Sequence, residues 1–322
     1  MKGWLLRRAL QALVTFAVAL ALLFILMRAA PGDPLSRMGE NRPLSPREIE
    51  VLRARYGLDQ PVATQFVSFL QGLSRGDLGV SIEYGRPVTA LLAERLPATV
   101  LLGGTVLLLN FTAGLWLGVR QAVRRGRWDR WLTGFSLAGY AMPSFWLGLV
   151  LAWLIGVEWR LLPAAGMRNP LLSPDAGILT RAADVLRHLV LPAITLSIVS
   201  IASTMRYQRA AMLDVLRLPY IVTARAKGLS ERDVTWRHAW RNALFPVITL
   251  FGLWLPILVS GSVFVEAVFA WPGLGSLAAT AVGGRDYPLL MGASLLVAAL
   301  VVLSNFATDL AYAVLDPRVR YA

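Results

Sequence analysis

The chain contains no cysteine, which excludes disulfides, thiolate metal sites and thiol redox chemistry and leaves the compartment open. It has only two lysines, Lys2 and Lys227. Neither stands in the glycine-rich spacing of a phosphate-binding loop, so any nucleotide-driven step would need another chain. Charge is scarce throughout: 16% of the 322 residues are charged against 56% hydrophobic, with a mean hydropathy of +0.58. That is far too apolar for an ordinary soluble domain.

The apolar residues fall into six stretches free of Asp, Glu, Lys and Arg: 9–27, 96–119, 131–157, 188–205, 242–265 and 287–308. Each approaches the length of about 20 residues that a helix needs to cross a hydrocarbon core of roughly 30 Å. A backbone in lipid must satisfy its own polar groups, so runs of this kind predict helices. The alternation of a membrane barrel is absent. The first run is too long for a signal core, and Arg28 spoils the small-residue cleavage pattern before Ala30, so it is read as an anchor. Mid-run carboxylates are missing, which leaves proton or sodium coupling unsupported. Glu266 and Asp309 stand at run edges and read as capping or interfacial groups.

The net charge of +13 would suit a nucleic-acid binder, but its distribution points elsewhere. The N-terminus carries +3, link 120–130 carries +4 and link 206–241 carries +5, whereas links 28–95, 158–187 and 266–286 nearly balance. Alternate faces are basic, the positive-inside pattern with both termini cytoplasmic. A basic loop near anionic lipid heads accounts for each cluster, and for link 120–130 a specific partner contact is an equal reading.

The fold class expected is therefore an all-α integral membrane protein with six transmembrane helices and no soluble domain of its own. Residues 28–95 should form a small helical extracytoplasmic cap. Within it Ser45-Pro46-Arg47-Glu48 predicts a capped helix ending near Gly57, and a second helix should run from about Pro61 to Leu73. Glycine and proline recur inside the runs, among them Gly103, Gly104, Gly114, Gly118, Pro143, Pro192, Pro246, Gly252 and Pro256. Gly114 and Gly118 offer a small-x-x-x-small face for close helix approach. Kinks of this sort serve packing or line a cavity, and the sequence leaves both readings open.

One catalytic-looking pattern occurs. Gly72-Leu73-Ser74-Arg75-Gly76 matches G-x-S-x-G, with Asp184 and His188 later in the chain, but the nucleophile elbow needs a strand before the serine and here a helix is expected. His188 and His238 fall on opposite predicted faces, so they share no metal.

The cytoplasmic loop 206–241 carries the most local information. Ile221–Lys227 favours a helix that stops at Gly228, and Ser230 can cap a second one beginning Glu231-Arg232-Asp233. A helix, a glycine turn and a helix make a rigid knob. Trp236 and Trp240 lie one turn apart, as do Arg237 and Arg241, types that serve protein contacts or the lipid interface.

The segment "YIVTARAKGLSERDVTWRHAWRNALFPVIT" resembles the coupling segment of permease subunits in binding-protein-dependent ABC importers, in particular the dipeptide/oligopeptide/nickel family. The likeness extends over nearly the whole chain, with "APGDP" (30–34), "RYGLDQP" (55–61), "GDLGVS" (76–81), "HLVLPAITL" (188–196), "VFAWPGLG" (268–275), "RDYP" (285–288) and "DPRVRY" (316–321). Val222-Thr223-Ala224 stands where the family's motif begins Glu-Ala-Ala, so the glutamate is absent, while Gly228 holds the motif glycine. The resemblance implies that Thr223, Ala224, Arg225, Ala226, Lys227, Gly228 and Leu229 dock into a cytosolic ATP-binding subunit. It further implies a second homologous permease chain, two such ATPase subunits holding ATP and Mg, an extracytoplasmic substrate-binding protein and a bacterial inner-membrane location, with no cofactor on this chain and no nucleic acid. Peptides are the commonest cargo of that family; nickel and oligosaccharides are alternatives, and an ATP-independent channel or secondary transporter is the rival from another class.

Overall fold

A computed structural model of the protein describes residues 2–29, 45–124, 126–173, 175–247, 250, 252, 254 and 263–315. The motifs at 30–34 and 316–321, and half of the fifth apolar run, lie outside the described residues. Among the described residues the secondary structure is helical, with one isolated antiparallel bridge between Val80 and Pro87. Among the described residues four helices are long and apolar enough to cross a membrane: Gly3–Ala29, Val88–Val123, Ile178–Val215 and Tyr287–Leu310. A fifth candidate is a bent pair, Arg127–Ala141 with Ser144–Glu158, whose halves meet at 102°.

That bend is where the run 131–157 departs from a simple span. Pro143 has no N–H to donate and its ring disfavours the helical conformation in the residue before it. Met142 is accordingly extended, at φ −86° and ψ 125°, and Pro143 caps the second helix at φ −62° and ψ 128°. The opposite departure occurs at 188–205. Its helix continues through charged residues at both ends to cover Ile178–Val215, because Arg, Asp and Leu are all tolerated in a helix and only the hydrocarbon excludes the charged ones.

The chain divides into two compact units, Met1–Thr99 with Pro272–Phe306, and Val100–Trp271 with the chain from Ala307 onward. In the first, the predicted capping box is present: Ser45 Oγ accepts from Glu48 N and Glu48 Oε2 accepts from Ser45 N, opening helix Pro46–Arg55. Gly57 takes the positive φ of 63° that ends this segment, and Val62–Ser74 follows with Pro61 as its cap. Phe66 and Phe69 of that helix meet Phe24 of the first spanning helix, with ring centroids 5.0 and 6.0 Å apart. A core of Val88, Leu91, Leu92, Leu277, Ala281 and Leu289 holds the unit together.

Two of the sequence motifs converge here. Asp286 of "RDYP" is fully buried. Its carboxylate accepts from Ser81 Oγ at 2.5 Å, from Glu83 N at 3.1 Å and from Leu289 N at 3.1 Å. It thus caps the last helix and fastens the turn after "GDLGVS" to it. Similarly, Thr99 Oγ1 accepts from Leu274 N at 2.7 Å, a buried cap for helix Leu274–Gly284.

The second unit is organised on the Ile178–Val215 helix. A Cβ at Gly114 would meet Thr204, one at Gly118 would meet Gln208 and the Met205 carbonyl, and one at Gly139 would meet Ala202 and Ile198. The four-residue spacing of Gly114 and Gly118 matches that of Thr204 and Gln208, so the small-residue face lies directly on the long helix. Arg209 pairs with Asp129 at 3.1 Å, and Gln121 donates to Thr133 at 2.9 Å.

Removing the Asp286 carboxylate leaves buried donors without an acceptor, a loss of about 3 kcal/mol. Asp286→Ala should therefore lower the thermal midpoint of the detergent-solubilised protein by several degrees and Asp286→Asn by less; equal midpoints for all three would refute the capping role.

Candidate functional site

Helix Ile178–Val215 ends as Leu216 N donates to the Met212 carbonyl and Leu218 N to the Val215 carbonyl. Leu218 is extended and Pro219 takes the first helical position, where its missing N–H costs nothing. Helix Pro219–Ala226 then makes two turns and stops. Lys227 N donates to the Thr223 carbonyl, Gly228 N to Arg225 and Leu229 N to Ala224, closing the turn while Gly228 adopts φ 78°. Ser230 caps the next helix, Glu231–Asp233, by accepting from Asp233 N at 3.1 Å.

The knob is fixed to its base by apolar contact. Ile221 and Ala224 are buried with Val119 and Ala122 of helix Val88–Val123, with Met212 of helix Ile178–Val215, and with Val234, Ala239 and Ala243 beyond the turn. Across the turn Arg225 grips Glu231 through two hydrogen bonds of 2.8 and 3.3 Å. Asn242 donates to the Tyr220 hydroxyl at 2.8 Å and to the His238 carbonyl at 3.0 Å, tying the entry of the knob to its exit. Arg225 and Glu231 are solvent-exposed, so this pair adds orientation more than stability.

Of the seven residues expected at the contact, Thr223, Arg225, Ala226, Lys227, Gly228 and Leu229 are exposed together at the tip. Ala224 is different. It is 6% exposed and faces the base. Val222, 58% exposed, joins Leu229 as apolar surface beside Lys227; its outward position follows from Ile221 and Ala224 turning inward, which the sequence alone does not fix. Trp236 and Trp240 stack edge to face at 5.4 Å against the base of the knob. Their inner faces serve this chain's own packing, and both are half-buried, with surface left for an outside contact.

The serine pattern has no comparable geometry. Ser74 ends helix Val62–Ser74 and donates its hydroxyl to the Gln71 carbonyl within that helix, so the strand required before a nucleophile elbow is replaced by a helix. His188 is buried, with Nδ1 2.8 Å from the Asp184 carbonyl oxygen.

Residues 110–321 match the family model described as "Binding-protein-dependent transport system inner membrane component", and residues 1–103 match its N-terminal companion. The chain belongs to this family. It is a membrane component of a transport system and not itself an enzyme. It is 39% identical over 323 residues to the oligopeptide transport system permease protein AppB of Bacillus subtilis, covering all of both chains. It is 37% identical over 337 residues to the dipeptide transport system permease protein DppB of Escherichia coli K12, and 39% identical over 334 residues to the di/tripeptide permease DppB of Pseudomonas aeruginosa, in each case over 100% of this chain and 99% of the relative. The knob falls inside the matched region of this permease.

Gly228 lies in open space, so an added methyl meets nothing, but its left-handed φ disfavours any L side chain by about 1 kcal/mol. Gly228→Ala should leave the base intact and speed amide exchange at 226–229 about fivefold in hydrogen-exchange mass spectrometry. Unchanged exchange there would show that the turn does not depend on glycine.

Proposed function

We propose that this permease forms half of the translocation pore of an ATP-driven importer for di- or oligopeptides in a bacterial inner membrane. The observation that carries the reading is the knob: an exposed tip, 223 and 225–229, on a base packed into the ends of spanning helices. A cytosolic ATPase that grips such a tip moves a rigid lever, because Ile221 and Ala224 are buried against Met212 and Val119. Closure of two ATPase subunits on ATP and Mg would pull on this knob and on its counterpart in a second permease chain, switching the pore between faces. Peptide cargo is supported by relatives whose own names specify dipeptides, di/tripeptides or oligopeptides.

The topology fits that arrangement. Six spans at 9–27, 96–119, 131–157, 188–205, 242–265 and 287–308 place both termini and the basic links 120–130 and 206–241 in the cytoplasm. The Pro143 break makes the third span two inclined helices, as tolerated where backbone lies against protein or a water-filled path. The segment 28–95 then lies outside, towards the substrate-binding protein. Ala224 belongs to the proposed contact as its anchor, and the exposed residues around it as the docking surface.

Gentle purification from the native membrane, followed by ATPase and peptide-uptake assays in proteoliposomes with the loaded binding protein, tests the whole reading. ATP-binding subunits should accompany the intact chain and support uptake. Gly228→Pro removes an N–H that donates to Arg225 and forbids the positive φ, so uptake and binding-protein-stimulated hydrolysis should fall at least tenfold. Absence of any ATPase from the intact preparation would sink the importer reading.

A further inference from the structure

Ser203, Arg206, Tyr207 and Ala210 follow the i, i+3, i+4, i+7 spacing of one face of the Ile178–Val215 helix. With Tyr140 they line a cavity of about 350 Å³. The Arg206 guanidinium lies over the Tyr140 ring, 5.3 Å from its centroid, and among the described residues no carboxylate pairs with it. Arg209, one turn on, is by contrast paired with Asp129. Tyr140 and Tyr207 are 60% and 56% exposed in the isolated chain.

Arg206 stands at the end of the apolar run 188–205, with its guanidinium over the ring of Tyr140, the residue after Gly139, which packs against Ile198 and Ala202. A guanidinium placed beside an apolar run without a carboxylate is costly against hydrocarbon and suits the edge of a hydrated path. Two tyrosines and a serine share the lining with it, side chains whose hydroxyls can donate to a small anion.

We propose that Arg206, with Tyr140, Ser203 and Tyr207, forms a carboxylate-binding station on the pore-facing side of this permease, taking the C-terminal carboxylate of a peptide in transit. This rests on the peptide-importer reading above. Guanidinium and carboxylate match in fork geometry, and the charge-assisted pair discriminates against the neutral amide of the same peptide.

The test uses the complete importer in proteoliposomes with its binding protein and radiolabelled trialanine, supplied as the free acid and as the C-terminal amide. The intact importer, Arg206→Gln and Arg206→Lys share one binding protein, so any change in the acid-to-amide uptake ratio arises in the permease. The ratio should fall about fivefold or more in Arg206→Gln and lie between the two in Arg206→Lys, while loaded binding protein still stimulates ATP hydrolysis in all three. A ratio unchanged in Arg206→Gln would overturn the station and leave the guanidinium to lipid phosphate or the second permease chain. A lysine variant as low as the glutamine one would overturn the role of charge. Absence of ATP-dependent trialanine uptake by the intact importer would instead remove the peptide reading, and the station with it.

Discussion

Close backbone approach along the Ile178–Val215 helix is the contact on which the second unit depends. Between helices in lipid the hydrophobic effect supplies little, because hydrocarbon tails are as apolar as leucine. What remains is dispersion, and it rewards the shortest separations. Gly114 and Gly118 let their helix lie directly on Thr204, Met205 and Gln208, and Gly139 does the same against Ile198 and Ala202. Larger residues would push both neighbours off the same helix. The polar tether between Asp129 and Arg209 then lies where the apolar packing ends.

From this contact follows the stiffness of the cytoplasmic end. Val119 follows Gly118 directly, Ala122 lies one turn beyond it, and Met212 lies one turn beyond Gln208. These residues are the floor on which Ile221 and Ala224 rest. The seam that joins the spanning helices therefore continues without interruption into the base of the knob. On the proposed coupling role, transmission needs no mobile hinge in this segment, since the residues under the tip and the helix ends share one buried cluster. The two hydrogen bonds from Arg225 to Glu231 keep the halves of the knob in register.

How much of this is legible in the sequence depends on whether the determinant is local. The box at Ser45 and Glu48, the stops at Gly57 and Gly228 and the cap at Ser230 all stand where local chemistry predicts, because each is decided within four residues. The small-residue face at Gly114 and Gly118 is legible too, though not its partner. Long-range pairings are not: nothing in "GDLGVS" or "RDYP" alone states that Ser81 and Asp286 share a hydrogen bond. The spacing of Trp236 and Trp240 describes a face but does not state that part of it packs inside the chain. The break before Pro143 was visible as a proline in an apolar run, whereas its angle of 102° depends on tertiary packing.

Arg206 exposes a weakness in defining spans as gaps between charges. By that rule a charged residue can only ever terminate a span, so the run 188–205 ends where Arg206 begins and the path through the protein looks uncharged. The helix does not end there; it continues to Val215. Arg206 and Arg209 stand one turn apart, so a reading by position would give both to the basic link. Their partners separate them, with Arg209 held by an acid and Arg206 set over an aromatic ring. An aromatic face attracts a cation but supplies no negative charge. The charge of Arg206 therefore remains available to an incoming anion, whereas that of Arg209 is already balanced within the chain.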